Sequence, residues 1–130
     1  MTQKITKRDN FLKAVQRLTE ALEEYRTRPS ELARDGIIQR FEFTFELSWK
    51  ALKEHMEDLG ASGLQFPKQV LKEAYRGGLI SNEKVWLSML DARNMTSHIY
   101  NSDQAAKILA AIRDEYTAEL LSLVPLFKAK

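Results

Sequence analysis

The run Arg93-Asn94-Met95-Thr96-Ser97-His98-Ile99-Tyr100 gathers a permanent cation, an imidazole and a phenol into one short stretch of a 130-residue chain. These types suit cleavage of an RNA phosphodiester by acid–base chemistry without a metal. A histidine near its unperturbed pKa of about 6.5 can take a proton from a ribose hydroxyl or return one to the leaving oxygen. An arginine stays charged and can fork two phosphate oxygens while charge builds in the transition state. One imidazole does not easily serve as base and acid together. A symmetric pair of chains, supplying two copies of Arg93 and His98, meets that need.

Spacing decides whether these groups can meet. Arg93 and His98 are five residues apart, which on an unbroken helix separates them by about 140°. Arg93 and Tyr100, seven apart, return to within about 20° of one face. Asn94, Thr96 and Ser97 compete for backbone hydrogen bonds and are weak helix-interior residues, so a distortion between Arg93 and His98 is expected. Two readings stay open. In one, the groups converge through that distortion or through a second copy, with Asn94 as a further binding position and Glu42 and Glu46 lining a groove beside Arg93. In the other, Arg93 pairs with Glu42 or Glu46 for structural reasons and His98 only ends a helix.

Helical periodicity supplies the frame. Thr6 and Asp9 fit a capping box ahead of Phe11, Val15, Leu18, Leu22 and Tyr25, which follow at alternating four- and three-residue spacing. Arg28-Pro29-Ser30 should end this helix. A second, long helix starts at Ser30 or Gly36 and reaches Leu59, with Ile37, Ile38, Phe41, Phe45, Trp49, Leu52, Met56 and Leu59 on its broad apolar face. Phe43, Leu47 and Ala51 form a second, narrower strip, which either a flanking helix or another subunit would cover. Gly60 offers a C-cap, and Pro67 suits the first turn of a short helix ending before Gly77-Gly78. Ser81 or Asn82 caps a fourth helix carrying Val85, Trp86, Met89 and Leu90. Asn101, Ser102 or Asp103 caps the last, where Ala105, Leu109, Ile112, Tyr116, Leu120 and Leu123 are spaced for burial. Trp49 and Trp86 read as core residues and His55 as structural. The expected fold is all-α: one domain over residues 1–130, an antiparallel up-and-down bundle of four long helices and one short one.

Composition narrows the classes. With 20 basic and 18 acidic residues the net charge is +2, which argues against a general nucleic-acid coat protein. Zero cysteines exclude disulfides and thiolate metal sites. The start of the chain lacks the apolar segment of a signal peptide, and no run approaches the ~20 apolar residues of a membrane span. A soluble cytoplasmic protein without metal or cofactor is expected. Neither glycine pair follows a strand, so neither reads as a phosphate loop, and the chain is not itself a nucleotidyltransferase.

The run from Arg93 to Tyr100 resembles the Arg-x4-His-x-Tyr motif of the HEPN superfamily. The segment Arg34-Asp35-Gly36-Ile37-Ile38-Gln39-Arg40-Phe41-Glu42-Phe43-Thr44-Phe45-Glu46-Leu47, with Gly78-Leu79-Ile80 and Trp86, resembles one branch of it, the nucleotidyltransferase substrate-binding protein family. The likeness runs from about Phe11 to Leu123, and the second-helix segment is its most specific part. It implies a small antiparallel bundle, commonly homodimeric, made alongside a separate minimal nucleotidyltransferase. Relatives with the full motif are implied to be ribonuclease toxins whose nucleotidyltransferase partner is the antitoxin, in some cases by nucleotidylating the motif tyrosine. Arg93 and His98 match the cleavage positions and Tyr100 the acceptor. The alternative within the family is a non-catalytic subunit that presents substrate to the nucleotidyltransferase.

Overall fold

The structure, a computed structural model, describes residues 5–99 and 101–128. Its helices begin where the local chemistry requires. Thr6 Oγ1 accepts from the Asp9 N–H and the Asp9 carboxylate accepts from the Thr6 N–H, both at 3.0 Å, which is the expected capping box at the head of α1 (Lys7–Thr27). Ser30 Oγ accepts from the Ala33 N–H at 3.0 Å and opens α2 (Glu31–Asp58). The earlier of the two expected starts is therefore the one used, and α2 runs through Gly36. A glycine inside a helix costs about 1 kcal/mol relative to alanine. Gly36 does not have a positive φ, and a Cβ built on it meets nothing within 4 Å, so the fold itself has no need of a glycine there.

Beyond α2, Gly60 turns the chain at φ 103°. The remaining elements are α3 (Pro67–Arg76), α4 (Glu83–Met95), a 3-10 turn over Thr96–His98, α5 (Ser102–Ala111), a π-helical segment over Ile112–Tyr116, α6 (Thr117–Leu121) and α7 (Val124–Lys128). Asn82 caps α4 through the Val85 N–H and Asn101 caps α5 through the Gln104 N–H, at 3.4 and 2.9 Å. Periodicity predicts one continuous last helix, and the structure interrupts it. In the π segment the Thr117 hydroxyl donates to the Ile112 carbonyl, five residues back, at 2.7 Å.

The arrangement is the expected up-and-down bundle of four long helices and the short α3. α2 is its axis: α1 lies along it, and α3, α4 and α5 pack on its other sides. Phe41 of α2 stacks on Tyr116 (ring centroids 5.5 Å, planes 22° apart), and Phe45, one turn on, lies 6.4 Å from the Trp86 ring. The polar ends of both partners are satisfied: Trp86 Nε1 donates to Glu119 at 3.1 Å, and the Tyr116 hydroxyl is 2.8 Å from Ser88 Oγ. Trp86 is fully buried, as expected of a core residue, while Trp49 is only partly covered. Arg8 ties the start of α1 to the end of α2 through Glu54 (2.8 Å) and Asp58 (2.6 Å). Burial alone would lower its pKa; the hydrogen bonds to those carboxylates outweigh it and hold the guanidinium above its ordinary value.

Of the two covers expected for the second strip of α2, the chain's own helices account for Leu47 and Ala51, while the expectations for Phe43 and Leu59 are corrected. Leu47 and Ala51 are buried within the chain's own bundle, whereas Phe43, placed on the same strip, is 63% exposed. Leu59, expected on the apolar face, is 74% exposed, because it falls just past the last helical residue. No helix among the described residues is long and apolar enough to cross a membrane.

Candidate functional site

α4 and α2 position Arg93. Its Nε lies 3.3 Å from Glu46 Oε1 and its Nη1 3.9 Å from Glu42 Oε2. Glu42 and Glu46 are one turn apart on α2, so both face the same neighbour. Glu46 is also fixed from its own helix, accepting a hydrogen bond from Trp49 Nε1 at 3.0 Å. The Lys50 ammonium, which i,i+4 spacing would have set on Glu46, sits 5.9 Å from the Trp49 ring centre instead. Arg93 occupies the last turn of α4, where a cation also complements the helix dipole.

The arginine is held incompletely. Its Nε is buried and has no hydrogen-bond partner despite the nearby Glu46 oxygen. The side chain as a whole remains 30% exposed, so the solvent-facing part lies away from Nε. The arrangement is one of a cation carried on two carboxylates with part of its fork still open.

His98 is set differently. The Arg93 carbonyl accepts from the Thr96 backbone N–H, and also from Thr96 Oγ1 at 2.7 Å. That pair of bonds to one carbonyl winds the chain into the 3-10 turn, so the helix gives way between Arg93 and His98. The tighter turn advances about 120° per residue against about 100°, which carries His98 from about 140° to about 200° beyond Arg93. Within one chain Arg93 therefore packs on α2 while His98 is exposed, without a hydrogen bond or ion pair to another described residue. Asn94 and Met95, between them, are also exposed, Met95 by 60%. Tyr100 lies outside the described residues.

Arg93, Glu42 and Glu46, all expected from the sequence, come together in the structure. Trp49, which holds Glu46, was not expected there; the three-residue interval between Glu46 and Trp49 was the available signal. His55, read as structural, sits 6.1 Å from the Phe127 ring. No group of three or more acidic or histidine side chains among the described residues could hold a metal ion.

The chain belongs to the nucleotidyltransferase substrate-binding protein family: residues 6–125 match the family described as "Nucleotidyltransferase substrate binding protein like". It is 41% identical over 86 residues to a protein of Haemophilus influenzae (strain KW20 / Rd) named "Probable ribonuclease HepT"; the match covers 61% of this chain and 57% of that protein. The fold agrees with a crystal structure from Thermus thermophilus at a TM-score of 0.79 and 35% identity, over 91% of this chain and 98% of the other. It agrees also with a Haemophilus influenzae structure described as revealing the fold of a substrate binding domain of a nucleotidyltransferase. There the TM-score is 0.76 and the identity 30%, over 93% of this chain and 98% of that one.

The partial exposure of the Arg93–Glu46 pair sets its expected strength. A double-mutant cycle with Arg93→Ala and Glu46→Ala, read by urea unfolding, should give a coupling of about 0.2–1 kcal/mol. A coupling several times larger would make Arg93 a clamp of the fold, not a residue kept available.

Proposed function

We propose that this chain is the HEPN-type subunit that pairs with a minimal nucleotidyltransferase, and that it is the toxin of the pair, a metal-independent endoribonuclease. The observation that carries the reading is Arg93: a partly open guanidinium whose buried Nε lacks a hydrogen-bond partner, followed five residues on by an exposed, unengaged His98. The name of the Haemophilus influenzae relative supports the same activity.

In this mechanism the ribose 2′-hydroxyl loses its proton to one His98 and attacks the adjacent phosphorus. The phosphorus–5′-oxygen bond breaks, and a second histidine protonates the leaving oxygen. Arg93 forks the non-bridging oxygens as charge accumulates. Because Arg93 and His98 are out of phase along one chain, the site takes these groups from two copies in a homodimer. The exposed Met95, between them in sequence, suits burial by the second copy. Tyr100 is the proposed acceptor for nucleotide transfer from the partner, which would silence the nuclease, and Asn94 is a further binding position. Glu42 and Glu46 position Arg93 and line the groove.

A second reading, a non-catalytic subunit that binds substrate for the nucleotidyltransferase, is favoured by one observation: Arg93 already has two carboxylate neighbours inside its own chain.

Expression of the chain without its partner should slow growth, and His98→Ala should relieve the effect; equal growth with both favours the binding subunit. Incubation with the partner enzyme and ATP should add nucleotide mass that Tyr100→Phe abolishes, by intact-mass spectrometry. Retention of that mass in the variant removes Tyr100 from the mechanism.

A further inference from the structure

A cavity of about 400 Å³ opens between α1 and α2, on the side of α2 that carries Phe43. Arg17 of α1 and Arg40 of α2 line it together with Gly36, Gln39 and the exposed Phe43, and no carboxylate is among its lining residues. A second cavity of about 410 Å³ shares Arg17, Gly36 and Arg40 and continues toward Glu20 and Glu24. Both arginines are exposed, and neither has an ion pair with a described residue.

Gly36, Arg40 and Phe43 recur at four- and three-residue spacing, which puts them on one face of α2. Gly36 is the feature the helix does not explain, since its φ is not positive and a Cβ built there meets nothing within 4 Å. Its effect is to leave the floor of the cavity open. Two guanidinium groups beside that floor suit a phosphate, which each can grip as a fork. Phe43, a flat apolar ring 63% exposed at the same edge, suits the face of a base, and the Gln39 amide carries both a donor and an acceptor for its edge. Glu20 and Glu24 at the far end disfavour a second anion there, so the phosphate belongs at the Phe43 end.

The geometry points to this cavity as a nucleotide-binding site, taking one phosphate between Arg17 and Arg40 and one base on Phe43. Its ligand is either a free nucleotide or one residue of an RNA strand, since both present the same phosphate and base. The net charge of +2 conceals the site, because the acidic residues are placed elsewhere or at its far end. The site needs no nuclease activity and stands apart from the proposal for Arg93 and His98.

The test is a binding titration of the purified chain at low salt, following backbone amide resonances. AMP should shift the amides of Ala14, Gly36 and Gln39 saturably, and inorganic phosphate should compete. Arg40→Ala should weaken AMP by about tenfold, and Phe43→Ala should do likewise while leaving phosphate binding intact. Gly36→Leu fills the floor of a helix whose backbone accepts leucine, so it should abolish AMP binding without lowering the melting temperature. An oligoadenylate binding more tightly than AMP, with a steep salt dependence, would identify an RNA strand as the ligand. Equal binding of the two would identify the free nucleotide. The proposal is overturned if AMP, phosphate and RNA leave these amides unmoved at millimolar concentration, or if Arg40→Ala has no effect. It is also overturned if the variants weaken only association with another protein chain.

Discussion

The rotation of α2 about its own axis is the constraint on which the rest of the molecule depends. Phe41 on Tyr116 and Phe45 beside Trp86 pin that rotation from the core side. Glu42 and Glu46 each follow one of those phenylalanines, so fixing the rings fixes the carboxylates about 100° round the helix. There they meet Arg93 of α4. The same rotation turns Gly36, Arg40 and Phe43 away from the core, toward α1 and solvent. A helix that packs on four neighbours cannot turn without disturbing all of them. Both surfaces with chemical potential are therefore set by the aromatic core, and neither by a mobile loop.

The second determinant is Thr96. By donating to the Arg93 carbonyl through hydroxyl and backbone alike, it ends α4 at Met95, three residues before His98. That choice separates the cation from the imidazole within one chain. In the bundle the guanidinium packs on α2 and the histidine is exposed beyond the end of α4. A reaction needing both is then best served by two copies, and dimerisation and catalysis become a single requirement under the proposed nuclease reading.

The cap at Thr6 could be read from the sequence outright, and those at Ser30, Asn82 and Asn101 as one of two or three candidates, because capping is local; most of the core followed from helical periodicity. The family likeness was legible too, in the segment from Arg34 to Leu47. Longer-range consequences were not. Leu47 and Ala51 looked like a separate strip because helical phase says which residues share a face, not how many helices surround it. The π segment over Ile112–Tyr116 leaves the buried positions of the last helix unchanged, so periodicity could not reveal it. The weak helix formers Asn94, Thr96 and Ser97 pointed to a distortion between Arg93 and His98, but not to its form: a 3-10 turn, which in ideal geometry does not bring the two into phase. The Arg17–Arg40 cavity joins two helices across a groove, and neither helix alone announces it.

The nuclease reading rests most heavily on His98 acting on RNA. The direct measurement is the chemistry of RNA ends after incubation with the purified chain in excess chelator. A 2′,3′-cyclic phosphate paired with a 5′-hydroxyl, formed by the parent chain and lost in His98→Ala, is the predicted result. RNA left intact by the parent chain, or cut equally by the variant, would contradict it.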